Sequence, residues 1–342
     1  MDTIQVNTEG GVVVTGIYPD MYRISTGIWS LDRALSYREK DGMPLRSIYE
    51  IYGPSHVGKS TFTYFLSGCV PGTRISLCDL EGLDKDRVKL GVEASGFSGE
   101  VKIIALTDGV KPRQHSDMVQ EMLLSIRKGE ANAGILDSVG AYIPIAEATG
   151  DIGEANMGRS AHNIGQIARR AMSYLMSAEK PGAIFFVNHQ HAVLSGHGHT
   201  TSGGVTLKYL GAIRIALWRA EVLATGDPKK GEERINWADI LTGTVEKLRF
   251  GGAGRNFTVV HLKDHGVSRD LSCMFDCFRL GLAERDKTVK VNRASVGYIS
   301  KLVRSAYEGD HKPFLPFWEV MAEWKTNQGI RYEEEVTDEP ES

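Results

Sequence analysis

Short β-branched and apolar runs alternate with amphipathic stretches along most of this chain. SIYEIYG (47–53), RISLCD (74–79), VKIIAL (101–106), AGILDS (133–138) and GAIFFVNH (182–189) read as buried strands. Helix-like stretches lie between them, near 59–68, 84–94, 113–129 and 158–178. In DMVQEMLLSI, Met118, Met122 and Ile126 recur every four residues and share one helix face. Strands alternating with helices predict an α/β fold, a mostly parallel sheet with helices on both faces. GAIRIALW and LTGTVEKLRF have no helix between them and predict an antiparallel extension of that sheet. GVVVTG near the N-terminus reads as one more strand. Beyond about residue 282, Tyr298, Tyr307, Phe314, Phe317, Trp318 and Trp324 gather with basic residues and predict a small helical C-terminal unit.

Composition narrows the class. The chain has 342 residues, 42% hydrophobic and 24% charged, which excludes a disordered, collagen-like or disulfide-scaffold protein. No apolar run reaches the roughly 18–20 residues of a membrane span. MDTIQVNTEGG has neither a basic start nor an apolar centre, so it does not read as a secretion signal. The four cysteines, Cys69, Cys78, Cys273 and Cys277, lack zinc-type spacing and read as reduced and intracellular. Net charge is −3, which argues against non-specific nucleic-acid binding. Six acids, however, fall in the last ten residues, EEEVTDEPES, and without them the charge becomes +3. The body can therefore carry basic grooves beside an acidic tail.

The strongest chemical signal is GPSHVGKST: Gly53, Pro54, Ser55, His56, Val57, Gly58, Lys59, Ser60 and Thr61. It fits G-x-x-x-x-G-K-[ST], follows a predicted strand and opens a predicted helix, the context that marks a phosphate-binding P-loop. Glycines let backbone N–H groups turn inward around phosphates, and the helix N-terminus adds partial positive charge. Lys59 is placed to reach the β and γ phosphates and Ser60 to hold Mg²⁺. Asp137, ending its strand, is the candidate second magnesium-holding group; its alternative is a turn-capping aspartate. Water activation needs another carboxylate, and Glu81, just past the strand RISLCD, competes for that role with Asp79.

These pieces and their neighbours resemble the RecA family of recombinases, the phage UvsX type in particular. ISTGIWSLDRAL with RSIYEIYGPSHVGKST resembles the family's entry helix and P-loop, and ILDSVGAYIP its Walker B strand. DLEG (79–82) is similar to the D-x-E segment, which assigns the catalytic glutamate to Glu81. GDIGEANMGRSAHNIGQIARRAMSYL resembles the first DNA-binding loop and its following helix. HTTSGGVTLKYLGAIRIALWR resembles the end of the second loop and the strand after it. The similarity covers roughly residues 24–280. Bacterial members carry asparagine–glutamine where this chain has Asn188–His189, so the resemblance gives the γ-phosphate-sensing role to His189, with Gln190 as the alternative.

The resemblance implies ATP and Mg²⁺ as cofactors, single- and double-stranded DNA as partners, a helical homo-oligomeric filament and strand exchange with DNA-stimulated ATP hydrolysis. It also implies a cytoplasmic location in a bacterial or phage-infected cell, with single-strand-binding and mediator proteins as further partners. The rival readings are a recombination mediator or a ring helicase without strand exchange, and a small-molecule P-loop kinase. The implied organisation is 1–22 as an oligomerisation segment, 23–281 as the ATPase core, 282–332 as a small C-terminal domain and 333–342 as the acidic tail. GVVVTG reads either as a strand that joins a neighbour's sheet or as an edge strand of its own domain.

In the first candidate loop, about 147–158, Met157 reads either as a wedge between unstacked bases or as a helix-entry core residue. Gly158 and Arg159 follow, and His162 and Arg169 lie two turns apart on one helix face; Arg169 matches a phosphate-contacting arginine of the family. In the second loop, about 191–204, Val193 and Leu194 are the apolar residues placed for insertion between bases. Ser202, Gly203 and Gly204 offer hydroxyl and backbone N–H groups to phosphate. Neither loop has a basic run or a stacking platform, which favours sequence-independent backbone contact. Lys247 and Arg249 share one face of VEKLRF, roughly 7 Å apart. The resemblance matches them to two cations that reach a neighbouring protomer's ATP, and Tyr209 to an interface aromatic.

Overall fold

The structure is a computed structural model that describes residues 3–6, 12–15, 22–36, 42–107, 113–149, 159–192, 199–225, 233–249 and 253–328. Strands β1 (Thr3–Val6) and β2 (Val12–Thr15) pair antiparallel as a two-stranded sheet of their own. The described part of GVVVTG, Val12–Thr15, thus pairs with Thr3–Val6 of the same chain. Helix α1 (Trp29–Ala34) sits between the short paired strands β3 (Arg23–Ile24) and β4 (Met43–Pro44).

The core sheet begins with β5 (Ser47–Gly53), which leads into α2 (Lys59–Cys69). There follow β6 (Arg74–Asp79), α3 (Lys85–Glu93), β7 (Glu100–Ile104), α4 (His115–Arg127) and β8 (Ala133–Asp137). A one-turn helix α5 (Ile145–Ala148), α6 (Arg159–Ser177) and β9 (Ala183–Ala192) complete the alternation. β10 (His199–Thr201) folds back on β9, and α7 (Gly204–Leu210) leads into β11 (Ile213–Thr225). β12 (Ile235–Leu248), β13 (Arg255–Leu262) and β14 (Gly266–Ser268) follow without intervening helices.

These ten strands form one sheet in the order β14-β13-β12-β11-β5-β9-β8-β6-β7, with β10 on the end of β9. The segment from β11 to β7 is parallel and the segment from β11 to β14 antiparallel, as the strand spacing predicts. The central strands are buried on both faces, so β5 and β8 expose no residue. One face packs Phe62, Phe65, Val88 and Val92 of α2 and α3 against it. The other packs Met118, Met122 and Ile126 of α4 with Ile164, Ala168 and Leu175 of α6, confirming the four-residue repeat.

The C-terminal segment is not purely helical, in contrast to the expectation from its aromatics. After α8 (Arg269–Leu280), the strands β15 (Ala283–Arg285), β16 (Val289–Val291) and β17 (Ala294–Gly297) form an antiparallel meander before α9 (Ile299–Tyr307) and α10 (Leu315–Asn327). Asn292 and Arg293 both take positive φ, 49° and 68°, in the two-residue turn between β16 and β17, the geometry that such tight hairpins need. Strands of three or four residues are too short to show alternation. The aromatics Phe314 and Phe317 pack with Leu271, Met274 and Cys277 of α8 and with β12 and β13, so this unit shares one apolar cluster with the antiparallel wing.

Candidate functional site

The carboxyl ends of β5, β6, β8 and β9 meet along one edge of the parallel sheet, the edge at which open α/β sheets bind ligands. The P-loop leaves β5 there. Gly53 has φ 158°, and a Cβ on it would stand 2.0 Å from the Leu217 carbonyl oxygen, so no side chain fits. Gly58 caps α2 in a left-handed conformation (φ 92°) and sets the helix N-terminus into the loop. Val57 and Thr61 are buried beneath the loop, while Pro54, Ser55 and His56 face outward. Arg219 of β11 holds the loop by donating to the His56 carbonyl at 2.6 Å.

Lys59 is buried and its Nζ donates to the Pro54 carbonyl at 2.8 Å. Burial lowers its pKa, and the carboxylates of Asp137 and Glu81 oppose that shift. Asp137 ends β8 at 1% exposure; burial pushes its carboxyl up to about 6 against hydrogen bonds from Ser60 and Tyr64. The Tyr64 hydroxyl donates to Asp137 Oδ2 at 2.9 Å. Burial and the nearby carboxylate push the Tyr64 hydroxyl upward, so it remains a donor. Among the described residues no three His, Cys, Asp or Glu side chains converge as a metal cage. A hydroxyl and a carboxylate beside a P-loop are nevertheless oxygen donors of the kind that Mg²⁺ takes, so Ser60 and Asp137 would hold it there.

Glu81 and Asp79 separate clearly. Asp79 is buried and accepts three backbone N–H groups, from Glu81 at 3.0 Å, Gly82 at 2.8 Å and Leu83 at 2.8 Å. It is the anchor of the loop that carries Glu81. Glu81 Oε1 accepts a hydrogen bond from Ser138, the residue after Asp137, and lies 3.3 Å from His189 Nε2. Parallel pairing sets His189 of β9 directly beside Gly53 of β5, which places it at the P-loop. Gln190 instead pairs with Thr201 of β10.

The residue before His189 reaches the second loop. Asn188 is buried, and its Nδ2 donates both to Glu50 Oε1 on β5 and to the Ser202 carbonyl, each at 2.8 Å. Ser202 Oγ is 3.0 Å from His191 Nε2. Gly203 and Gly204 both have positive φ and open α7. A Cβ on Gly204 would stand 2.8 Å from the Ala161 Cβ, and one on Gly203 would stand 2.9 Å from Ile164. The start of α7 therefore rests against the first turns of α6, so the two candidate DNA-contacting segments adjoin. On α6, Arg159, His162 and Arg169 are exposed on one face, and His162 is 3.0 Å from Gln166. Met157 and Gly158 of the first loop, Val193 and Leu194 of the second, and the acidic tail lie outside the described residues.

Lys247 and Arg249 stand at and just past the end of β12. Lys247 Nζ donates to the Lys208 and Tyr209 carbonyls at 2.8 and 2.6 Å, capping the end of α7, and Arg249 is exposed. Tyr209 is 77% exposed. Ser138, Tyr64 and the Glu50–Arg214 pair, joined at 2.6 Å, are members of this region that motif reasoning does not single out. The one sequence signal for that pair is a lone charge in each of two apolar runs, SIYEIYG and GAIRIALW.

The RecA N-terminal domain family matches residues 11–238. Among relatives, the chain is 31% identical over 222 residues to Protein RecA of Mannheimia haemolytica, covering 63% of this chain and 56% of that protein. It is 32% identical over 215 residues to Protein RecA of Streptomyces venezuelae, covering 61% and 53%. The chain thus spans about half the length of the curated relatives it matches.

Proposed function

The chain belongs to the RecA family, and from that premise we propose that it is an ATP-dependent recombinase that polymerises on single-stranded DNA and pairs it with homologous duplex. The observation that carries this reading is the convergence at the P-loop edge. Glu81, Ser138 and His189 form one hydrogen-bonded cluster beside Gly53, and Asn188, adjoining His189, holds the carbonyl at the base of the second candidate loop. A nucleotide site and a DNA-facing segment then share a strand.

In this reading the P-loop amides and Lys59 bind the nucleotide phosphates, while Ser60 and Asp137 hold Mg²⁺. The cation, when bound, neutralises phosphate charge. Glu81, with Ser138 fixing its carboxylate, takes the proton of the attacking water, and His189 reads the γ-phosphate. Backbone and hydroxyl groups of the second loop, with the exposed cations of α6, contact DNA phosphates. Lys247 and Arg249 serve the nucleotide of a neighbouring protomer.

The test is the ATPase rate with and without single-stranded DNA, imaging of the same samples, and a strand-exchange assay. DNA-stimulated hydrolysis with helical filaments and exchanged strands is the expected result. Rings instead of filaments, or binding without exchange, would replace this reading with a helicase or a mediator.

A further inference from the structure

The Ser60–Asp137 pair has a third member that the P-loop pattern does not require. Tyr64 lies one helical turn beyond Ser60 on α2, so the two side chains share a face. Tyr64 is fully buried, and its single polar atom is spent on Asp137 Oδ2. The Ser60 hydroxyl also interacts with both of them, so a serine, a tyrosine and an aspartate form a closed polar triad.

A carboxylate at a strand end keeps rotational freedom unless its oxygens are held. A hydroxyl donating to a charged acceptor is among the stronger hydrogen bonds, and here it acts out of water, where its orientation is kept. An apolar residue at 64 would fill the space without restraining Asp137. Resting on the nucleotide and magnesium roles proposed above, we infer that Tyr64 is a positioning residue that holds the Asp137 carboxylate in the orientation that receives Mg²⁺.

The test uses the full chain with Tyr64→Phe, which removes one hydroxyl and keeps the ring. Binding of a fluorescent, non-hydrolysable ATP analogue is titrated with Mg²⁺ and repeated in EDTA. The Mg²⁺ concentration for half-maximal binding should rise about tenfold, while affinity in EDTA stays within about twofold. Tyr64→Leu, which also lacks the donor, should give the same shift and serves if the first variant does not fold. In an Asp137→Asn background, adding Tyr64→Phe should change the Mg²⁺ dependence less than about twofold, because the two residues act as one unit. A Mg²⁺ curve that overlays the wild type's would overturn the inference. So would an equal loss with and without Mg²⁺, the mark of damaged packing, or an undiminished shift in the Asp137→Asn background. A wild-type protein whose nucleotide binding ignores Mg²⁺ would instead remove the proposed metal site, and the role of Tyr64 with it.

Discussion

Glu81 and Asp79 are two positions apart and carry the same charge, yet their surroundings leave them different work. Asp79 spends both oxygens on the N–H groups of residues 81 to 83, whereas Glu81 keeps a side chain 39% exposed at the mouth of the P-loop. Glu81→Gln preserves size and hydrogen bonding but removes the proposed base. It should still bind ATP, lose about 10²-fold or more of the hydrolysis rate and give long-lived DNA complexes. Near-normal turnover in a steady-state assay would reassign the base. His189 touches Glu81 and adjoins Asn188, the contacts through which the proposed coupling of phosphate to the second loop would run. His189→Ala should bind ATP yet lose the ATP-induced gain in DNA affinity, measured by fluorescence anisotropy with and without nucleotide. If that gain survives, Gln190 becomes the residue to test.

At the scale of elements, β5, β9 and β11 are joined through their side chains as well as their backbones. Glu50 of β5 is wholly buried, and its carboxylate is shared by Asn188 of β9 and Arg214 of β11. Arg214 also lies 4.7 Å over the Tyr52 ring and 3.7 Å from Glu246. Arg214→Met leaves a buried carboxylate with one partner fewer and should cost about 3–5 kcal/mol in a denaturant melt. Glu50→Gln/Arg214→Met should cost clearly less, since neither charge is then stranded; equal costs would mean that packing dominates over charge. The doubly buried strands of this region are legible in the sequence because short apolar runs such as AGILD alternate with amphipathic helical stretches, and GPSHVGKST because Gly53, Gly58, Lys59 and Ser60 stand at the fixed positions of the P-loop pattern. Glu81 and His189 are each named by the sequence, but their meeting at one point and the part of Ser138 in it are not legible, because sheet register joins residues up to 108 positions apart. The C-terminal meander escapes for another reason: its strands are three to four residues long and its turn is Asn292–Arg293 without glycine.

At the scale of the whole molecule, the position of Lys247 and Arg249 argues for a site shared between copies of the chain. Register sets Lys247 opposite Arg214, and Arg214 beside Glu50, three residues before Gly53 on β5. Three residues along the strand and two strands across amount to roughly 14 Å from the chain's own P-loop, beyond the reach of a lysine side chain. If these cations act on ATP, they act on another protomer's, and cations supplied across an interface raise phosphoryl-transfer rates by about 10³–10⁵ in other systems. Mixing tests this directly. A Lys59→Ala protein keeps both cations but cannot use its own nucleotide; a Lys247→Ala/Arg249→Ala protein keeps its P-loop but offers nothing to its neighbour. Because Lys247 also caps α7, Arg249→Ala alone is the control for local damage. Each variant by itself should be nearly inactive. Co-assembled on single-stranded DNA, they should recover ATPase activity at junctions where the first faces the second, with a maximum at intermediate ratios. No recovery at any ratio, with mixed assembly confirmed by labelling, would leave Lys247 as a helix cap and Arg249 as a DNA contact or surface charge.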